Sequence, residues 1–185
     1  MELKGERLLA ADRAAAWAAL NDTGMLKGCV PGCESIVATG GNQFDIAMTA
    51  AVGPVKARFK GKLALVEVDE PNAYTMKFEV SGGPTGFARG EARVTLAEVS
   101  PTQTKLAYVA NAHVGGKLAQ VGSRLIDAAA GATADKFFEA FGARLAERGA
   151  PAAAAGAPTA GPAAPAKIGF FSLLLAFLKR LFGRR

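Results

Sequence analysis

The sequence predicts an α+β protein of two layers, a curved antiparallel sheet with a long helix packed across it at the end of the domain. Two observations carry that prediction. From Phe44 to Leu65, and again around Tyr74–Val80, apolar side chains recur at every second position, the period of strands with one buried face. From Gly116 to about Arg148 the period changes, and Leu118, Val121, Leu125, Ala128/Ala129, Ala132, Phe138, Phe141 and Leu145 recur at helical spacing, which predicts one amphipathic helix.

The elements follow in order. Glu2–Leu9 reads as a first strand, and Asp12 as the N-cap of a short helix over Arg13–Leu20 that holds the single tryptophan, Trp17; an aspartate there can accept a hydrogen bond from an otherwise unpaired helical N–H. A second short turn over Asp22–Lys27 leads into "CVPGC". Phe44, Ile46, Met48, Ala50 and Val52 then alternate with Asp45, Ala47, Thr49 and Ala51. Beyond the Gly53-Pro54 turn, Val55, Ala57, Phe59, Gly61, Leu63 and Leu65 alternate with Lys56, Arg58, Lys60 and Lys62. Tyr74, Met76, Phe78 and Val80 repeat the pattern, and two further strands fall at about 86–99 and 103–115. Gly/Pro/Asn turns join these strands as a meander.

Composition divides the chain. Residues 149–166 are alanine, proline and glycine with one threonine; repeated proline removes backbone donors and opposes helix, so this reads as an extended linker without a core. It separates a body, 1–148, from a tail helix, 167–185. The chain has 22 basic and 16 acidic residues, yet the tail from Lys167 holds five bases and no acid. The body is therefore close to neutral, which argues against nucleic acid as a partner. The start, "MELKGERLLAADRAAAW", mixes charge with apolar residues unlike a secretory signal, which predicts a cytoplasmic protein. In that compartment Cys29 and Cys33 are expected to be free thiols. The single histidine, His113, stands on the polar side of its strand; with so few soft ligands no metal site is expected, and no acid–base constellation marks an enzyme. Asp127 and Asp135, which flank the small-residue stretch of the long helix, are expected as solvated charges.

The inward faces are small in their later parts. Ala50, Ala57, Gly61, Ala88, Gly90, Ala92, Ala110 and Ala112 face a helix that offers "DAAAGATA". Interiors pack to crystal-like density, so small residues on both layers mean either close approach or a hollow. The favoured reading is an apolar cavity walled by Phe59, Phe78, Ala92, Tyr108, Ala110, Val121, Leu125 and Ala129; tight packing is the alternative.

The stretches "AADRAAAWAALND", "CVPGCES", "VGPVKARFKG", "GFARGEARVTL" and "VGGKLAQVGSRLID" resemble the G-subunit family of carbon monoxide dehydrogenase, over most of residues 1–147. That family belongs to the START-like (SRPBCC) helix-grip superfamily. The resemblance implies a helix-grip fold that holds an apolar ligand between sheet and long helix. It also implies a role in bringing an aerobic carbon monoxide dehydrogenase, or a related molybdenum hydroxylase, to the cytoplasmic membrane. Such an enzyme passes electrons to a respiratory chain whose quinone is dissolved in lipid, so a bound quinone or isoprenoid lipid is the expected ligand, with no covalent cofactor. A ligand-free recruitment or assembly adaptor is the rival reading, and a cyclase- or hydrolase-type enzyme a third.

The tail lies outside the resemblance. Ile168–Leu178 is an uncharged run of eleven residues, whereas a helix that spans a bilayer needs about 20. Phe170, Phe171, Leu174, Phe177, Leu178, Leu181 and Phe182 cover most of its helical surface, and Lys179, Arg180, Arg184 and Arg185 crowd its end. That pattern suits a helix lying in the plane of an anionic interface at the cytoplasmic face of the cell membrane. A helix docked on a protein partner and a tilted, snorkelling span are the alternatives. Replacing Lys179, Arg180, Arg184 and Arg185 by Gln should weaken binding to anionic vesicles by roughly 1 kcal/mol per residue at low salt, measured by co-sedimentation; unchanged binding would assign retention to the apolar surface or to a protein.

Overall fold

The computed structural model describes residues 1–149. A seven-stranded antiparallel sheet is built from β1 (Glu2–Leu9), β2 (Cys33–Gly40), β3 (Gln43–Val52), β4 (Val55–Asp69), β5 (Ala73–Ser81), β6 (Phe87–Ser100) and β7 (Gln103–Gly115). Its order is β1-β7-β6-β5-β4-β3-β2, so the first strand closes against the last and the rest form a meander. Two short helices, α1 (Arg13–Leu20) and α2 (Thr23–Cys29), and the long α3 (Ser123–Gly149) complete the body. The expected tail helix and most of the linker lie outside the described residues.

Local chemistry fixes the helix starts. Asp12 accepts from the Ala15 N–H at 2.9 Å, and Asp22 from the Met25 N–H at 3.0 Å, each satisfying an otherwise orphan donor of the first turn. Asp22 also accepts from Arg148 at 2.6 Å, tying α2 to the far end of α3. These bonds favour the ionised carboxyl and hold its pKa below the usual range, the Arg148 contact most of all.

Two elements differ from the sequence expectation. β2 has no clear alternation, because Ile36, Val37 and Ala38 are contiguous and register shifts interrupt its ladder after Cys33 and after Ala38; its own bulges hide it. The long helix begins at Ser123, not Gly116. Residues Gly116–Val121 form a 3₁₀ segment, and both Gly116 (φ 75°) and Gly122 (φ 93°) occupy the left-handed region that an α-helix cannot continue through.

The core is concentrated at one end of the sheet. Phe141 is fully buried and Leu145 nearly so, among Leu9, Trp17, Leu20, Met25, Val94, Leu96 and Leu106. Trp17 meets Tyr74 edge to face with centroids 5.6 Å apart, and Phe137 stacks on Phe141 at 5.6 Å, geometries that suit the aromatic quadrupole. Thr104, also fully buried, donates its hydroxyl to the Ala11 carbonyl at 2.9 Å. At the edge of this core, Arg7 lies over the Phe138 ring, 5.3 Å from its centroid, and pairs with Asp135. Asp135 is exposed, as a solvated charge would be, yet it fastens α3 to β1.

Curvature comes from two strand glycines. A Cβ on Gly61 would stand 2.6 Å from Val80 Cα, and one on Gly90 would stand 2.8 Å from Ala112 Cα. Gly61 pairs with Val80 and Gly90 with Phe78, in neighbouring rows of the ladder, so the sheet is sharply coiled across its centre. Gly61→Val and Gly90→Val should each destabilise the fold by about 1–3 kcal/mol, read as the urea midpoint, whereas Ala88→Val, on the same inner face without a backbone collision, should cost much less. Equal losses at all three positions would mean that volume, not curvature, selects glycine.

Candidate functional site: an apolar groove between sheet and helix

Beyond the packed end, the inner face of the sheet opposite the N-terminal half of α3 is only partly covered, and it is the candidate for an apolar groove. The backbone of α3 approaches the sheet at β1 and at β3, on either side of the central strands. The inner positions of β3–β7 in this region are Met48, Ala50, Ala57, Phe59, Leu63, Phe78, Val80, Ala88, Ala92, Ala110, Ala112 and Val114. None carries a charge. Phe59 and Ala92 are buried at 6% exposure each, but Met48, Leu63, Phe78, Val80, Ala110, Ala112 and Val114 are only half-buried. Ile126, Ala130 and Ala134 are half-buried on α3, one helical turn apart and in line with Phe138 and Phe141. Among the described residues, then, the apolar surface at this end is not packed away as it is around Phe141.

The expected wall residues fall into three groups. Phe59, Phe78, Ala92, Tyr108 and Ala110 share the inner face of the sheet. Tyr108 stands at the boundary between packed core and groove, its ring stacked on Phe138 at 5.3 Å, and Gly5 opposite it leaves room for the phenol. Val121 is half-buried in the 3₁₀ segment, and Ala129 is half-buried beside the inward row of α3.

Leu125 does not line the interior: it is 48% exposed, and a Cβ on Gly53 would lie 3.4 Å from its Cδ1, which places it at the rim beside the β3–β4 turn. Ala128 and Ala132 also face solvent. The cause is phase. Counting the helix from Gly116 carries Leu118 and Val121 into its period, whereas the helix starts after Gly122 and presents Ile126, Ala130 and Ala134 inward. Ile126 is visible in the sequence as the one large apolar residue in phase with Phe137 and Phe141.

The groups able to do chemistry lie elsewhere. His113 is exposed on the opposite face of the sheet, 6.0 Å from Phe87 between ring centroids. A shallow depression of about 630 Å³ there is lined by Met1, Lys77, Glu79, Arg89, Glu91, Asn111 and His113 together with the backbone between them, a charged surface that gives an apolar molecule no shelter. Tyr74 is sealed in the core, and burial pushes its phenol up to about 12. Cys29 is buried and Cys33 half-buried, both as thiols, and desolvation raises the pKa of each. Among the described residues no group of three or more His, Cys, Asp or Glu side chains is placed to hold a metal ion.

Solved structures share this architecture. A conserved protein from Geobacillus kaustophilus superposes with a TM-score of 0.75 at 25% identity, covering 80% of this chain and 96% of that one. A START superfamily protein from Mycobacterium smegmatis gives 0.61 at 13% identity, over 80% and 98% of the two chains. The Zhui aromatase/cyclase from Streptomyces sp. R1128 gives 0.63 at 12% identity, over 84% and 99%. Resemblance at such low identity establishes the helix-grip fold, which at least one enzyme among these neighbours shares. No curated protein matches the sequence. The sequence profile of the carbon monoxide dehydrogenase G subunit (CoxG) matches residues 5–146, and with that span covering nearly the whole described body, the chain belongs to the CoxG family.

Proposed function

We propose that this protein binds an apolar ligand, a quinone or isoprenoid lipid, and serves a carbon monoxide dehydrogenase-type molybdenum hydroxylase at the cytoplasmic membrane. The observation that carries the reading is the partly uncovered inner face of the sheet opposite α3. That face is uncharged from Met48 to Val114, and much of it stays half-open where the same sheet is tightly packed a few residues away. Apolar surface left in contact with water costs about 25 cal/mol per Å² relative to burial, so a ligand that covers it gains that term without needing a polar partner. The phenol of Tyr108 is the exception to an otherwise purely apolar lining, a composition suited to an isoprenoid chain or a weakly polar ring.

Family membership supports the link to the dehydrogenase, whose electrons must reach a carrier dissolved in lipid. The basic, apolar tail supports retention at the membrane. That tail lies outside the described residues, and none of the described helices is long and apolar enough to cross a bilayer. A ligand-free recruitment adaptor is the competing reading, and groove occupancy decides between the two.

Two substitutions test occupancy. Ala110→Phe and Ala130→Trp each place a ring in the groove from opposite layers. In a close-packed interior they would cost about 1–3 kcal/mol; in an open groove the melting temperature should hold while ligand is displaced. Full-length protein purified from membranes should yield quinone or lipid to organic solvent at near one per chain, and both variants should yield several-fold less. Unfolding of both, with no ligand extracted from the wild type, would overturn the carrier reading in favour of the adaptor.

A further inference from the structure

The near-zero charge of the body conceals a separation. No Asp or Glu occurs between Asp45 and Glu67, between Glu79 and Glu91, or between Glu98 and Asp127. The fold brings these three acid-free stretches together, because the β3–β4 turn, the β5–β6 connection and the segment leading into α3 all lie at the open end of the groove. Lys56, Lys117 and Arg124 are exposed there. Among the described residues none of the three is in an ion pair. At the packed end, the connections carry Asp12 and Glu70, and Asp69 and Glu98 stand at the neighbouring ends of β4 and β6. Apolar side chains accompany the bases at the mouth: Leu125 is 48% exposed against the β3–β4 turn, beside exposed Pro54.

We propose that the mouth of the groove is a docking surface for an anionic lipid bilayer, with Lys56, Lys117 and Arg124 on the headgroups and Leu125 and Pro54 entering the interface. Charge complementarity selects this occupant. Three unpaired cations around a small exposed apolar tip are the elements of interfacial binding, with Asp127, one turn beyond Arg124, the acid that accompanies them on α3. The proposal rests on charge and exposure at the rim, not on what the groove holds, so it can fail while the ligand reading stands, and the reverse.

The test uses the full chain and a reporter at the rim. Leu125→Trp puts an indole there, while the native Trp17 is 7% exposed in the packed core. With vesicles of phosphatidylglycerol and phosphatidylcholine carrying brominated acyl chains, emission of the variant should be strongly quenched and that of the wild type scarcely changed. Pro54→Trp supplies a second reporter should Leu125→Trp fold poorly. Adding Lys56→Gln, Lys117→Gln and Arg124→Gln to either reporter should lower the ratio of docked to undocked mouths about fivefold per cation removed, even where the tail keeps the chain on the vesicle. Quenching that is equal on purely zwitterionic vesicles would overturn the electrostatic assignment. An unquenched reporter in a vesicle-bound chain would overturn the proposal and leave the basic mouth to an acidic protein surface.

Discussion

The long helix is tightly packed on the sheet only toward its C-terminal end, and the rest of the architecture follows from that. Phe137, Phe138, Phe141 and Leu145 bring α3 down onto Leu9, Val94, Leu96 and Leu106, with α1 and α2 sealing the side. Arg7 and Asp135 fix its height over β1. Toward its N-terminus α3 turns alanine- and glycine-rich, so beyond Ile126 its inward row is Ala130 and Ala134, short side chains facing a sheet that Gly61 and Gly90 allow to coil. Close packing is thereby confined to half of the interface, although native interiors ordinarily pack throughout. The candidate site lies where that packing stops.

Most of the fold is legible in the sequence because the two periods are clean. The alternation of Phe44–Val52 and Val55–Leu65, the cap at Asp12, and the helical spacing of Phe138, Phe141 and Leu145 each state one structure locally. What cannot be read depends on tertiary geometry. Cys33–Gly40 pairs through bulges, so its apolar residues lose the period by which a strand is recognised. The glycines before α3 break the backbone without changing composition, so the helical phase slips and Leu125 is drawn wrongly into the wall.

Gly61 and Gly90 show the same limit in another form. In a one-dimensional reading they are small residues, counted with Ala92 and Ala110 as missing volume. In three dimensions their lack of a Cβ answers a backbone collision with the next strand. The two residue types therefore differ in kind: the alanines are small side chains on the inner face, while the glycines answer to the bend of the sheet. Charge misleads in the opposite sense, since summing over the body cancels a division that only the strand order reveals.

An interior half-packed and half-open has a thermodynamic consequence. Stability must come from the Phe141 end, because the wall around Phe78 and Ala110 keeps water contact and contributes less of the burial free energy that opposes chain entropy. A molecule that binds the groove in the folded state adds stability by mass action, about 2.7 kcal/mol at a hundredfold excess over its Kd. That term vanishes when the ligand leaves. On the proposed reading the protein holds its shape through one end and a ligand through the other, so loading and release need not disturb the core. The basic mouth lies at the open end, away from Trp17 and Phe141, where contact with a surface can act on the groove while the packed half stays intact.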